Sequence, residues 1–252
     1  MKKIIFLNKK EGETPLEALE NFRNKHMEYK DISITYAGRL DPMASDLIIL
    51  LVGEKIKEKE KYLNLDKEYE FEVLFDFSTD TYDILGKVIS SDRKNIYKRE
   101  LLKLIKQNLK NFSGKLIQKY PIYSSKTVKG KPLFSYARRG IDVEIPSREV
   151  LVKNLKFFKI KSINNRKLFN IIEKRIKKVN GDFRQKEILS IWKKNLLVKE
   201  KRNFFIASFK IECSSGTYVR GIANNLGEKI NIPTLAFSIK RTKIGTTRRP
   251  NF

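Results

Sequence analysis

Two kinds of hydrophobic spacing run through the chain. Residues 4–7 and 47–52 are unbroken apolar runs, too short to span a membrane and suited to buried strands. Residues 67–77 alternate instead. Tyr69, Phe71, Val73, Phe75 and Phe77 share one face and Glu68, Glu70, Glu72 and Asp76 the other, with Leu74 out of step. Period-two spacing predicts a half-buried strand, and residues 204–213 read as another. Helical spacing follows Thr14, where a capping box with Glu17 and Pro15 at the first helical position precede Leu16, Leu19 and Phe22. It recurs over 97–112, and again around 168–179 (Ile171, Ile172, Ile176, Val179) and 185–197 (Ile188, Ile191, Trp192).

The 252 residues are enough for one large domain or two small ones. Lys and Arg number 54 against 29 Asp and Glu, a net charge of +25. Such an excess points to a polyanionic partner, nucleic acid first, with a lysine-rich solvated surface as the alternative. Cys213 is the only cysteine and His26 the only histidine, so no internal disulfide and no Cys- or His-based metal cluster forms. Catalysis by a Ser–His or Cys–His pair is disfavoured for the same reason. The apolar run at 4–7 is too short for a signal peptide, so a cytoplasmic protein is expected.

Candidate chemistry concentrates just before the run at 47–52, in Tyr36-Ala37-Gly38-Arg39-Leu40-Asp41-Pro42-Met43-Ala44-Ser45. Gly38 permits backbone angles closed to other residues. Pro42 fixes its own φ and pushes Asp41 toward an extended conformation. A lone carboxylate thus sits on a stiff loop leading into the core. By pattern alone, Asp41-Pro42 reads first as an ordinary turn.

The whole stretch resembles the active-site loop of the TruB family of tRNA pseudouridine synthases, H-x-G-x-L-D-P-x-A-[ST]-G, then an apolar strand and G-E-x-x-K. Gly38, Leu40, Asp41, Pro42, Ala44, Ser45, Gly53, Glu54 and Lys57 match in register. Tyr36 stands in place of the family's His, and Asp46 in place of its Gly. Lys9, Gly12 and Thr14 resemble D-K-P-x-G-x-[ST]-S, with Lys10 replacing the proline. Lys67-Glu68-Tyr69 resembles K-x-Y, and residues 79–86 resemble T-D-T-x-D-x-x-G. Residues 118–125 resemble Q-x-P-P-x-[YF]-S-A, with Tyr120 for the first proline; Lys126 and Thr127 do not reproduce the lysine that follows. Residues 130–140 resemble G-K-x-x-Y-x-x-A-R-x-G, and residues 148–160 the family's next strand. Residues 213–227 match C-S-x-G-T-Y-[IV]-R-x-[IL]-x-x-[DN]-L-G almost throughout.

The resemblance implies an α/β (α+β) pseudouridine synthase fold: a bent, mostly antiparallel mixed sheet with flanking helices and a central RNA-binding cleft. It implies one catalytic domain over 1–252, without the C-terminal PUA-type domain that many members carry. Residues 164–203, with thirteen basic and four acidic side chains, read as an insertion between two strands, either an added RNA-binding arm or a charged surface elaboration. The implied reaction turns a uridine of tRNA, position 55 of the T arm, into pseudouridine after the base is flipped out. Asp41 is the implied essential carboxylate, acting as nucleophile on the sugar or as base at C2′. Arg220 is its charged partner, and Tyr69 stacks on the base. Tyr218 and Ile239 wall the pocket, Arg39 fills the gap left in the RNA, and Tyr36 touches the flipped nucleotide without an imidazole charge. Lys9 contacts phosphate or supports the loop, with a solvated lysine as the alternative. Asp83 lies near the site, with a turn-forming role read from its loop. No metal or organic cofactor is expected, nor any membrane, and the expected state is a monomer. Alternatives are a synthase for another RNA site and an RNA-binding protein without catalysis.

Overall fold

The apolar and alternating segments join one mixed sheet. The computed structural model describes residues 2–92 and 97–248; the last residues of the basic C-terminal stretch lie outside these. In chain order the elements are β1 (Ile4–Lys9), α1 (Pro15–Lys25), β2 (Ile34–Ala37), β3 (Ala44–Val52), α2 (Lys59–Leu63), β4 (Lys67–Phe75), β5 (Phe77–Thr79) and β6 (Val88–Ser91). There follow α3 (Lys98–Asn108), β7 (Gly114–Lys119), β8 (Thr127–Val128), β9 (Lys131–Pro132), α4 (Leu133–Arg139) and β10 (Ser147–Asn164). The chain closes with α5 (Asn165–Ile176), α6 (Gln185–Leu196), β11 (Asn203–Cys213), α7 (Val219–Ile230), β12 (Thr234–Ile244) and β13 (Thr247–Arg248).

The main sheet runs β1-β3-β12-β4-β11-β10-β7, with β2 beside β3 and β13 beside β12. Within it, β3 and β12 pair in parallel; the other pairings are antiparallel. The expected mixed, mostly antiparallel sheet with flanking helices is therefore what forms. Among the described residues no helix is long and apolar enough to cross a membrane.

The position of each strand explains its pattern. β3 is covered on both faces: Ile48, Leu50 and Val52 belong to the main core with Phe22, Phe71 and Ile222, while Leu47, Ile49 and Leu51 pack with Ala37 and Ile244. A strand buried twice needs no polar face, hence the unbroken run. β4 lies between β12 and β11. Its Tyr69, Phe71, Val73 and Phe75 face the main core, and Leu74 faces a second cluster on the far side. Leu74 thus breaks the alternation because that end of the strand is covered twice. The alternation predicted through Phe77 stops at Asp76, whose φ is 76°. One left-handed residue reverses which way the next side chain points, so Phe77 joins the far cluster with Leu74.

Residues 164–203 leave the β10–β11 hairpin as two packed helices. Leu168, Ile172 and Ile176 of α5 and Ile188, Trp192 and Leu196 of α6 close over Leu74, Phe77, Ile206 and Leu235. Trp192 is wholly buried, and its indole N–H donates to Ile84 O at 3.2 Å. The segment is a second layer on the sheet rather than a free arm. Its basic side chains lie mostly on the outer surface, as does Ile171, which the spacing places inward.

Candidate active site

The loop between β2 and β3 is held by its backbone. Gly38 has φ +84°, and a Cβ there would lie 3.4 Å from Arg241 Nη1. The positive φ favours glycine here, while the approach to Arg241 is an ordinary contact. Arg241 of β12, 1% exposed, donates to Leu47 O at 2.7 Å, Gly38 O at 3.1 Å and Arg39 O at 3.4 Å. Beyond Asp41, Lys9 Nζ donates to Glu13 O at 2.6 Å, Lys10 O at 2.9 Å and Pro42 O at 3.3 Å. Gly12 N–H reaches the same Pro42 O at 2.9 Å. Asp46, where the resembling family has glycine, keeps a glycine-like backbone with φ 79°.

Asp41 itself is fixed through its carboxylate. Arg220 Nε donates to Oδ2 at 2.8 Å and Nη2 to Oδ1 at 3.2 Å, a two-pronged pair. The guanidinium also donates through Nη1 to Thr81 O at 2.7 Å and through Nη2 to Tyr123 O at 2.8 Å. Arg220 is 2% exposed, whereas the Asp41 side chain keeps 33% of its surface open to the cleft. Burial works against the charge on Arg220, but Asp41 and Asp83 outweigh it and raise its pKa. The turn before α7 aims Arg220. Gln118 accepts from Tyr218 N–H and donates to Tyr218 O, both at 2.9 Å. A Cβ on Gly221 would come within 2.7 Å of the Gln118 amide, so the glycine admits that clamp.

The cleft above this pair has a volume of about 610 Å³. Its wall brings together Asp41, Arg220, Tyr69, Tyr218, Ile239, Asp83, Tyr36 and Arg39. Tyr69 and Ile239 are 8% and 7% exposed and form the inner wall. Burial raises the pKa of Tyr69, with Arg241 opposing through charge and a hydrogen bond, so its phenol is neutral near pH 7. Tyr218 stands edge-on to Tyr120, ring centroids 5.7 Å apart, and burial raises its pKa too. Tyr36 lies under Lys59 Nζ at 5.9 Å, and Arg39 is exposed at the rim. Aromatic faces beside a held carboxylate suit a flat pyrimidine with a sugar attached.

Two predicted residues have their polar atoms turned to groups of the protein itself. Lys9 is 0% exposed and absent from the cleft wall; its three donors are taken by backbone carbonyls. Its ammonium is turned to the backbone of the loop and away from solvent. Burial lowers its pKa to about 8, against the pull of Glu13 and Asp41. Asp83 reaches the wall, but its carboxylate accepts from Thr81 Oγ1 at 2.8 Å and Leu85 N at 2.9 Å, closing its own turn. Burial raises its pKa to about 6, Arg220 pulling it down and Asp41 pushing it up.

Sequence reasoning missed Arg241 as a site residue, although strand alternation puts it on the face of Ile239, two positions earlier. Arg184, which lies in the wall from between α5 and α6, carries no sequence signal. Among the described residues no group of His, Cys, Asp and Glu is gathered to hold a metal ion.

The profile of a family described as TruB family pseudouridylate synthase (N terminal domain) matches residues 25–173. A tRNA pseudouridine synthase B of Caldicellulosiruptor saccharolyticus is 33% identical over 245 residues, covering 97% of this chain and 68% of that protein. The Lactobacillus acidophilus protein of the same name is 31% identical over 239 residues, covering 94% and 67%. That of Aquifex aeolicus is 29% identical over 241 residues, covering 95% and 67%. Among solved structures, a crystal structure of a Cbf5-Nop10-Gar1 complex superposes with a TM-score of 0.57 at 14% identity, over 98% of this chain and 50% of that one. An H/ACA RNP bound to a substrate RNA containing 2′-deoxyuridine gives 0.54 at 13%, over 98% and 49%. At such identities these two likenesses speak for the fold alone.

Proposed function

The chain belongs to the TruB family of pseudouridylate synthases, and from that premise we propose that it isomerises a uridine of tRNA, position 55 of the T arm, to pseudouridine. One catalytic domain carries the reaction, as a monomer in the cytoplasm. The observation that carries this reading is the Asp41 carboxylate, gripped at both oxygens by buried Arg220 and open on its other side to a cleft with aromatic walls. The relatives named above, each called a tRNA pseudouridine synthase, support tRNA as the substrate.

The target base leaves its stack and enters between Tyr69 and Tyr218, which cost little to stack against. Arg39 at the rim occupies the vacated space in the RNA. Tyr36 stacks on the flipped nucleotide, and no imidazole charge takes part. Asp41, held by Arg220, starts the break of the N1–C1′ bond as nucleophile at the sugar or base at C2′. The freed uracil turns in the pocket against Ile239, and C5 bonds to C1′ as the Asp41–C1′ bond breaks or, on the other route, as the proton returns to C2′. The proton lost from C5 is balanced by one gained at N1, so the isomerisation consumes no co-reactant. Tyr69, neutral because burial raises its pKa, relays that proton rather than starting as a phenolate.

The test is pseudouridine formation in unmodified tRNA transcripts carrying U or C at position 55. Product from the U transcript alone, reduced by ~10⁴-fold or more in Asp41→Asn, is the expected result. Product from both transcripts would move the target elsewhere in the RNA. None from either, with tight salt-sensitive binding, would leave a binding protein.

A further inference from the structure

The two-helix segment between β10 and β11 returns to the site at two places. At the first, Arg184 opens α6 and reaches into the cleft wall. Its Nη1 donates to Asp80 Oδ2 and to Tyr123 Oη, both at 2.7 Å, and its guanidinium lies 4.3 Å over the Tyr123 ring. Asp80 adjoins Thr81, and Thr81 O and Tyr123 O are the two carbonyls that hold Arg220. Arg184 thus grips both loops that aim the partner of Asp41. Its own backbone is set by its neighbours: φ is +64°, Asp182 Oδ1 accepts from Arg184 N–H at 3.1 Å, and Gln185 Oε1 accepts from Phe183 N–H at 2.9 Å.

At the second place the end of α5 presses on the loop after β1. Arg175 donates to Glu11 Oε2 through Nη2 at 2.6 Å and Nε at 3.0 Å. Gly12, with φ +98°, lies so close that a Cβ would meet Lys178 O at 2.8 Å. Gly12 N–H in turn holds Pro42 O, next to Asp41. One member of the catalytic pair is therefore braced from each contact.

We propose that this segment is a brace for the Asp41–Arg220 pair, with Arg184 as a positioning residue for the isomerisation, and not an RNA-binding arm. The proposal rests on the function read above. It places the work of these residues on the chemical step, because a guanidinium displaced by a fraction of an ångström no longer holds the carboxylate in line.

Arg184→Gly tests it well, since glycine accepts φ +64° without strain and removes the guanidinium alone. The single-turnover rate at saturating transcript should fall about 10- to 100-fold, with transcript affinity within about twofold of wild type and an unchanged salt dependence. Arg184→Lys should recover part of the rate, keeping the charge beside Asp80 but not the fork. An unchanged rate at saturation overturns the brace. If affinity falls instead and the salt slope drops by about one, Arg184 is a phosphate contact. A readout that needs no turnover separates this from the function itself: solvent exchange of the Arg220 Nε–H followed by NMR. It should quicken about tenfold or more in Arg184→Gly. If wild type yields no pseudouridine, the functional reading fails, and exchange alone then decides the brace, unchanged exchange sinking it.

Discussion

Arg220 and Arg241 are both almost wholly buried, at 2% and 1% exposed, and both end at the cleft, but they are spent differently. Arg220 divides its donors between the Asp41 carboxylate and two carbonyls, Thr81 O and Tyr123 O. Arg241 donates to the carbonyls of Gly38, Arg39 and Leu47. The first fixes a charge; the second fixes a backbone and also reaches the Tyr69 phenol. Lys9 works like Arg241 from the other side of Asp41, through Pro42 O. The buried cations around the Asp41 carboxylate thus fall into two kinds, one that sets the electrostatics of the carboxylate and one that sets where its Cα stands.

Substitutions should separate the kinds. Arg220→Lys has the largest expected effect. Lysine keeps a charge but cannot make the two-pronged contact while holding both carbonyls, so the single-turnover rate should fall by ~10³-fold or more. A loss below tenfold would mean that the charge alone matters, and the geometry of the fork does not.

Next is Arg241→Met, which leaves the loop carbonyls without their donor. Stability should drop by about 4 kcal/mol, a fall in Tm of roughly 8–16 °C for a chain of this size. Below that temperature saturating turnover should be reduced far less than in Arg220→Lys. Thermal unfolding and single-turnover rates measured on the same preparations make the comparison; equal rate losses would erase the distinction between the two arginines.

The smallest effect concerns Asp83, the buried carboxyl behind Arg220. Its pKa is raised from 3.8 to about 6, so between those values the folded chain keeps a proton that the unfolded chain has released. Its contribution to stability is therefore greatest below about pH 4 and is lost as the pH rises to about 6, by no more than about 3 kcal/mol. Asp76, also raised to about 6 by burial, acts in the same direction. Urea denaturation from pH 4 to 7 should show a shallower fall in Asp83→Asn than in wild type, with Asp76 supplying the remainder. An identical slope in the two proteins would place the Asp83 charge in solvent.

Much of this was legible in the chain because it rests on local rules. The capping box of Thr14 and Glu17 forms as its spacing requires, with both reciprocal hydrogen bonds present. The run at 47–52 became a strand buried on two faces, and Gly38 has the positive φ that a turn before Asp41-Pro42 needs. Leu74 looked like an error in a period-two pattern until α5 and α6 supplied its partners. For Lys9 the sequence allows a phosphate contact, a loop support or a solvated side chain, and offers no way to choose among them. The choice depends on which of its neighbours fold over it.

By itself, then, the sequence determined many of the elements and the stiffness of the Asp41 loop, since helix spacing, strand alternation and the torsions of glycine and proline are properties of adjacent residues; Arg220 as a partner for Asp41 came only from the family resemblance. Only the tertiary structure decided which cation meets which acceptor. Arg220 and Asp41 lie 179 positions apart, Arg241 and Gly38 203, Arg184 and Asp80 104. Such pairings are fixed by burial: a charge withdrawn from water must find its partners among whatever groups the packing brings within about 3 Å, and that is settled by the whole sheet and its two helical layers at once.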